Sequence, residues 1–392
     1  MTSKLSPERF DFMAKLLYVY QYDKQYKTTF FTELYEGHMQ TFNGCKEAPD
    51  STVFGCGVTK DGIQDFFDAF HSLIDDMKKN GFRPDCAIPV GSDGLIENGT
   101  HRMIAAYYYN IEPKITQIDH PGQRYDYTFF LYRKGFPAIE RIYADTMALE
   151  YVNYEPNTRC MVLYPCAYNL QAINMVFNIV QKYGYIYYHK EVKLNSIGLN
   201  NLIKELYRGE EWIGGHFPTT GAYGKYKLAC TSTNPVVYIS IVMKDVSQCI
   251  EMKEECRKIY NVGKHSLHVS DFTEDTFRIS SALLNENSVH FLNNCKSNMV
   301  ANNPKNLSSE TKEKLLTYFQ ENMSRKRDCC LTGDIVKELN GIVVSERGIM
   351  QCIDRNSDDS EKDKKHPDDI IYNPRNHFYF NGYKFQTIAN NK

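Results

Sequence analysis

Several absences narrow what this chain can be. It has no run of 18 or more apolar residues, so no membrane-spanning helix is expected. It has no excess of one charge: 46 Lys and Arg stand against 48 Asp and Glu, a formal net charge of −2. That balance supplies no general attraction to nucleic acid or an anionic membrane, although local basic pockets for small phosphates survive such averaging. The opening residues, MTSKLSPERFDF, lack the apolar stretch of a secretory leader. None of the 12 cysteines forms a CxxC pair, and only Cys329 and Cys330 adjoin. Without a disulfide framework or zinc-ligand spacing, the expectation is reduced, mostly buried thiols in a cytoplasmic protein. No internal repeat, helix-turn-helix pattern or basic arm is present, which argues against a nucleic-acid partner.

What is present reads as globular. At 392 residues, 42% hydrophobic and 13% aromatic, the chain exceeds one ordinary core and predicts two or three domains. Residues 1–80 carry helical spacing in PERFDFMAKLLYVYQ and KDGIQDFFDAFHSLIDDMKKNGF, the second stopped by Gly81. Between them lies the Gly/Pro/Ser-rich loop FNGCKEAPDSTVFGCG. CAIPVG, a turn at Ser92-Asp93-Gly94, LIENGTHR, the helix MIAAYYYN and the strand KITQID then close a unit near residue 120. Residues 121–157 form an aromatic connector, helical over PAIERIYADTMALEYV. From Thr158, CMVLY, YIYYHKEVKL, YKLACTS and VVYISIVM are predicted strands, interleaved with helices AINMVFNIVQKYG, GLNNLIKELYRG, DVSQCIEMKEECRKIY and TEDTFRISSALLN. A polar linker near 297–310 precedes a smaller unit over 310–392, interrupted by the charged stretch 354–369. The fold class is therefore multidomain α/β (α+β). The tyrosine runs YIYYHK and AAYYYN are expected to pack in strand and helix rather than to stack bases.

The segment Val262-Gly263-Lys264-His265-Ser266-Leu267-His268-Val269-Ser270-Asp271 resembles the V-G-R-N-x-I-H-G-S-D segment of nucleoside diphosphate kinases. The resemblance covers 158–296 and implies a ferredoxin-like domain. It makes His268 the phosphoryl acceptor, Tyr207 and Trp212 the nucleotide-contacting aromatics, and Arg257 and Lys264 the phosphate-holding cations. An imidazole is nucleophilic near neutrality and flanking cations hold a phosphate in line, so the chemistry stands by itself. This sequence also departs from the family. Tyr164-Pro165-Cys166-Ala167 stands where the family has a lysine in K-P-D-G, His265 replaces an asparagine, and Val269 replaces a glycine. Ile279 stands where a glutamate orients the histidine, and a phosphate-binding loop between Met243 and Glu251 is missing. A buried histidine without phosphohistidine chemistry is the competing reading, and Asp271 reads equally as a helix cap.

Glu97-Asn98-Gly99-Thr100-His101-Arg102 resembles the D-G-x-H-R signature of the ParB/sulfiredoxin fold. That resemblance covers the unit ending at residue 120, with 1–80 as its helical lead-in. It implies Glu97 and His101 as catalytic groups and Asn98, Gly99 and Arg102 as a phosphate cradle at a helix N-terminus. Glu36 and Glu47 are further acidic candidates, and Arg102 equally reads as a brace for the hairpin. Beyond 310, Gly333-Asp334 and NPRNHFYFNGYKF resemble a small nucleotidyltransferase-like domain. No D-x-D stands in Ser345–Met350, so Glu346 and Asp354 offer at most one metal site and the domain reads as degenerate. GEEWIGG and HFPTTGAYGKYK, without Walker spacing, offer Lys225 and Lys227 as a weaker cradle.

The three parts together are similar to uncharacterised bacterial proteins that accompany capsule and other surface-polysaccharide genes. The function this implies is phosphoryl or nucleotidyl transfer onto a small hydroxylated precursor, using Mg2+ with a nucleoside triphosphate, ATP or CTP. The alternative is a catalytically decayed nucleotide-binding scaffold. Expected partners are a nucleotide and a small-molecule acceptor, with room for a homo-oligomer and none for nucleic acid or a membrane span.

Overall fold

The computed structural model describes residues 5–48, 59–217, 221–295, 307–342, 344, 348–357 and 365–388. The chain is a mixed α+β protein that divides into two compact units, 1–147 and 148–392. No described helix is long and apolar enough to cross a membrane.

Unit 1 opens with α1 (Asp11–Lys24), whose residues Asp11 through Val19 are all buried. A helix apolar on every side belongs inside a core, so Asp11 and Lys15 must find partners there. Helix α2 (Phe30–Asn43) follows, then the short strands β1 (Lys46–Glu47) and β2 (Lys60–Asp61), paired antiparallel. In α3 (Ile63–Asn80), Phe66, Phe70, Ile74 and Met77 recur at helical spacing and are buried. Its last turn carries Lys78 and Lys79 and stops at Gly81, as the sequence predicts. Strand β3 (Ile88–Val90), helix α4 (Thr100–Tyr108) and strand β4 (Ile115–Gln117) form a crossover, the two strands running parallel. The turn after β3 folds back so that Val90 bridges Ile96. Gly91 and Gly122 meet backbone to backbone there: a Cβ on Gly91 would lie 2.1 Å from Gly122 N. Helix α5 (Tyr127–Tyr132), capped by Asp126, and α6 (Arg141–Tyr154) complete this stretch, the unit division falling inside α6.

Unit 2 is built first on β5 (Thr158–Leu163), β6 (Gly184–Val192), β7 (Val236–Met243) and β8 (Leu267–Val269). They form an antiparallel sheet in the order β6-β7-β5-β8. All six β5 residues are buried, as expected for a strand covered on both faces. Gly184 opens β6 because an added Cβ would lie 2.5 Å from Val242 O. Tyr187 and Tyr188 are buried in β6, and the Tyr187 ring stacks on Tyr151 at 3.7 Å. The helices of this layer are α7 (Leu170–Tyr183), α8 (Ser196–Leu206), α9 (Gly221–Ala229), α10 (Cys249–Arg257), α11 (Thr273–Leu283) and α12 (Glu286–Asn294).

One predicted element changes type: YKLACTS is not a strand, because Tyr226–Ala229 closes helix α9. The Tyr/Lys alternation suggested a pleat, but Ala222, Lys225 and Ala229 point inward at i, i+3 and i+7, the period of a helix face.

The C-terminal part packs α13 (Ser309–Glu321), α14 (Asp334–Leu339) and α15 (Pro367–Tyr372) with four strands. Those strands are β9 (Cys330–Thr332), β10 (Gln351–Ile353), β11 (His377–Phe380) and β12 (Tyr383–Gln386), in the order β10-β9-β12-β11. Its core joins Phe319, Leu331, Phe378 and Phe385 to Phe291 of α12. Asn287 Nδ2 donates to the Pro374 and His377 carbonyls, and Tyr379 N donates to Ser288 Oγ. Lacing of that kind binds α12 to the C-terminal hairpin.

Candidate functional site

His268 sits mid-strand in β8, paired across to Val162 of β5. Two loops are held beside it: Tyr164 N donates to Ser266 O at 2.9 Å, and Cys166 Sγ donates to His265 O at 3.0 Å. A single 3-10 turn, Gly263–His265, brings Lys264 to the same rim. From α8, Tyr207 lays its ring edge-on to His268 at 4.9 Å, and its hydroxyl lies 3.1 Å from that of Tyr164. Trp212 packs edge-on against Tyr207 at 4.9 Å and is 49% exposed.

Tyr207, Trp212, Lys264, His265 and His268 line a cavity of about 490 Å3 that also receives Arg257, Lys225, Lys253, Asp271 and Arg278. The five residues carried by the family resemblance, Tyr207, Trp212, Arg257, Lys264 and His268, meet in one pocket together with Lys225, whereas Lys227 is not on its lining. The walls carry six cationic side chains against three acidic ones. Arg278 is fully engaged, donating to Asp275 Oδ1 and to the Glu205 and Arg208 carbonyls. Arg257 pairs with Glu254 at 2.6 Å but leaves Nε buried without a partner among the described residues. Lys264 has no ion pair among the described residues. Lys225, from α9, donates to Lys264 O and lies 5.1 Å over the Tyr164 ring. Burial, then Arg257 and Lys264, pull its pKa down to about 8.

Burial, then the charges of Lys253, Arg278, Lys225 and Arg257, hold His268 well below the ordinary histidine value, so its ring is neutral at pH 7. Nε2 is buried with no partner among the described residues. The Ile279 side chain is fully buried and provides no acceptor for it. His265 Nδ1 is likewise buried without a partner. Asp271 does not cap α11; the N-cap position is Phe272, with no side-chain cap bond, and Asp271 faces Lys253 at 3.7 Å. Among the described residues no group of three or more His, Cys, Asp or Glu is gathered as a metal would need. The carboxylates nearest His268 in sequence on this lining are Asp271 and Asp275, the latter held by Arg278.

Unit 1 has its own cavity of about 500 Å3, lined by Glu97, Asn98, Thr100 and His101, and by Arg9, Lys15, Glu47 and Gln123. Arg102 is not among its lining residues: Nη1 donates to the Cys86 and Ala87 carbonyls, bracing the chain before β3. Gly99 takes φ +89°, and a Cβ there would lie 2.8 Å from the Arg102 guanidinium. His101 Nε2 meets Tyr35 OH at 2.9 Å, and burial followed by Lys15 and Lys60 keeps the ring neutral. Glu36 is exposed and lines neither cavity, whereas Glu47 lines this one. Sequence reasoning missed the trio Arg9, Asp11 and Lys15. Arg9 forms a two-point ion pair with Asp11, and Lys15 Nζ reaches the same carboxylate at 2.8 Å. Burial alone would raise the Asp11 pKa, but the two cations outweigh it and hold the group ionised. Charged residues in the apolar run FDFMAKLLYVY were the available signal.

In the C-terminal part, Gly333 and Asp334 do stand at a strand-to-helix turn between β9 and α14. Asp334 pairs with Lys337 and Asp354 with Arg325, while Glu346 lies outside the described residues. Comparison of the chain with protein-family models, curated proteins and solved structures finds no match.

Proposed function

We propose that the His268 pocket binds a nucleoside triphosphate, ATP or CTP, and moves its terminal phosphoryl group to a small hydroxylated acceptor. The observation that carries this reading is a neutral, buried imidazole in a pocket whose cations outnumber its acids, with Arg257 Nε lacking a partner among the described residues. A neutral imidazole has a free lone pair, and cations beside it, Lys264 among them without an ion pair in the described residues, stabilise charge on a transferring phosphoryl group. In the first step a ring nitrogen bonds to the γ-phosphorus as the bond to the bridging oxygen breaks, releasing the diphosphate. In the second the acceptor hydroxyl takes the phosphoryl group, the nitrogen–phosphorus bond breaks, and the hydroxyl proton leaves to solvent. Arg257 and Lys264 hold the phosphate oxygens, Lys225 adds charge from α9, and Trp212 offers an exposed face to the base. Mg2+ accompanies the triphosphate and offsets part of its charge, with Asp271 as the exposed carboxylate able to hold it.

The strand order, with the fourth strand beside the first and the third beside the second, supports a ferredoxin-like, nucleoside diphosphate kinase-type reading of 158–296. The β3-α4-β4 crossover supports a ParB/sulfiredoxin-like unit, and the Gly333-Asp334 turn a degenerate nucleotidyltransferase-like one. A role in making bacterial surface polysaccharide, in the cytoplasm, fits the resemblance of the whole chain.

The second reading, a nucleotide-binding scaffold without turnover, is favoured by one observation. Among the described residues His268 Nε2 has no acceptor to fix its tautomer, and Ile279 stands where the resembling family has a glutamate. Incubation with γ-labelled ATP or CTP and Mg2+ separates the two. The transferase reading expects an acid-labile, base-stable phosphoprotein that disappears in His268→Asn; binding without label transfer supports the scaffold.

A further inference from the structure

The unit 1 cavity calls for a different ligand from the His268 pocket. Its sequence motif suggests a phosphate cradle, yet its electrostatics oppose one. Among the described residues the only Arg and Lys on its walls, Arg9 and Lys15, both direct charge to Asp11, which lies behind the wall. Two carboxylates, Glu47 and Glu97, line the same space. An incoming phosphate would meet Glu97 and Glu47, of which only Glu47 is offset, by Lys60, while the wall cations are committed to Asp11.

The polar groups instead suit hydroxyls. Glu97 accepts from Gln123 Nε2 at 2.9 and 3.1 Å, which fixes the carboxylate and leaves lone pairs over. Its place is set by backbone bonds: Glu97 N donates to Pro89 O, and Gln123 N to Ile96 O. Glu47 is held by Lys60 across the β1/β2 pair. Asn43 also lines the cavity, although its Oδ1 is itself buried, with no partner among the described residues. Phe42 and Tyr125, packed edge to face at 4.9 Å, supply apolar wall for C–H groups. The volume lies within the roughly 300–1,000 Å3 range of small-molecule sites.

We propose that this cavity binds an uncharged polyhydroxylated small molecule, a monosaccharide or similar polyol, with Glu97 and Glu47 accepting hydrogen bonds from its hydroxyls. The inference names the chemical class of the hydroxylated acceptor and rests on the proposed function for that link alone. Its test omits nucleotide, so its failure is distinct from failure of the His268 reading.

Saturation-transfer NMR on the full chain with glucose, N-acetylglucosamine, glycerol and myo-inositol measures binding directly. At least one probe should bind wild type, and its affinity should fall about tenfold in Glu97→Gln and again in Glu47→Gln, each losing a charged acceptor. Thermal melts that overlay wild type establish that the variants fold, and the two substitutions lie on different segments, so one folding failure leaves the other informative. Binding by none of the four, or binding unchanged in both variants, overturns the proposal. So does competition for the site by pyrophosphate or by spermidine, which would make it an anion or polyamine site.

Discussion

In the pocket around His268 cations outnumber acids, and Arg257 keeps an unpartnered Nε among the described residues; beside Glu97, Arg9 and Lys15 are both satisfied by one buried aspartate. Both regions hold Arg, Lys, His and carboxylates, and both were singled out from sequence as phosphate sites. What separates them is where each charge is already directed. A cation bound to an internal acid is structure; one left facing a cavity is available to a ligand.

The largest effect should come from removing the acid that makes this difference. Asp11→Asn leaves Arg9 and Lys15 buried without their counter-charge and should cost on the order of 3–5 kcal/mol in urea denaturation. If the variant still folds, the unit 1 cavity should gain affinity for pyrophosphate, collapsing the contrast. In the other pocket, Arg257→Ala should weaken nucleotide binding by about 10- to 100-fold, the worth of a charge-assisted hydrogen bond, with stability nearly unchanged by calorimetry.

Arg102→Ala should behave in the opposite way. It removes the donor to the Cys86 and Ala87 carbonyls and should lower stability by about 1–3 kcal/mol while leaving nucleotide affinity at the wild-type value.

The pH responses should be smaller. His38, His101 and His268 are held neutral in the fold, chiefly by burial, whereas the unfolded chain protonates them near 6.5. The unfolded state then binds more protons as pH falls, so stability is full above about 6.5 and declines below it. His→Gln variants should flatten that decline in chemical denaturation. Nucleotide affinity should fall a few-fold as pH rises through about 8, where Lys225 loses its charge, and Lys225→Arg should abolish the step in calorimetric titrations.

Much of the fold was legible because its helices and strands are locally periodic. The buried stripe of α3, the apolar run Cys160–Leu163 of β5 and the glycine stop at residue 81 follow from local sequence alone. Helix α9 was not legible, since GAYGKYKLA fits both a pleat and a helix face, and only the inward side of Ala222, Lys225 and Ala229 decides. At the candidate sites, the short run from Lys264 to Asp271 carried Lys264 and His268, while Tyr207, Trp212 and Arg257 of the same pocket came from other segments through the family resemblance. Lys225, offered from a separate segment only as part of a weaker cradle, joins that pocket from α9, and Arg102, for which cradle and brace both stood open, turns to backbone carbonyls. Partners distant in sequence decide both, and no local pattern records them.

Trp212 permits the most direct test, because it is the chain's single tryptophan and lines the His268 pocket. Its emission should be titrated with ATP, CTP, GTP and UTP in the presence of Mg2+, on wild type and Arg257→Ala. A saturable change with ATP or CTP that weakens at least tenfold in the variant is the predicted result. Emission unmoved by all four, with calorimetry confirming no binding, would contradict the assignment of a nucleotide to this pocket.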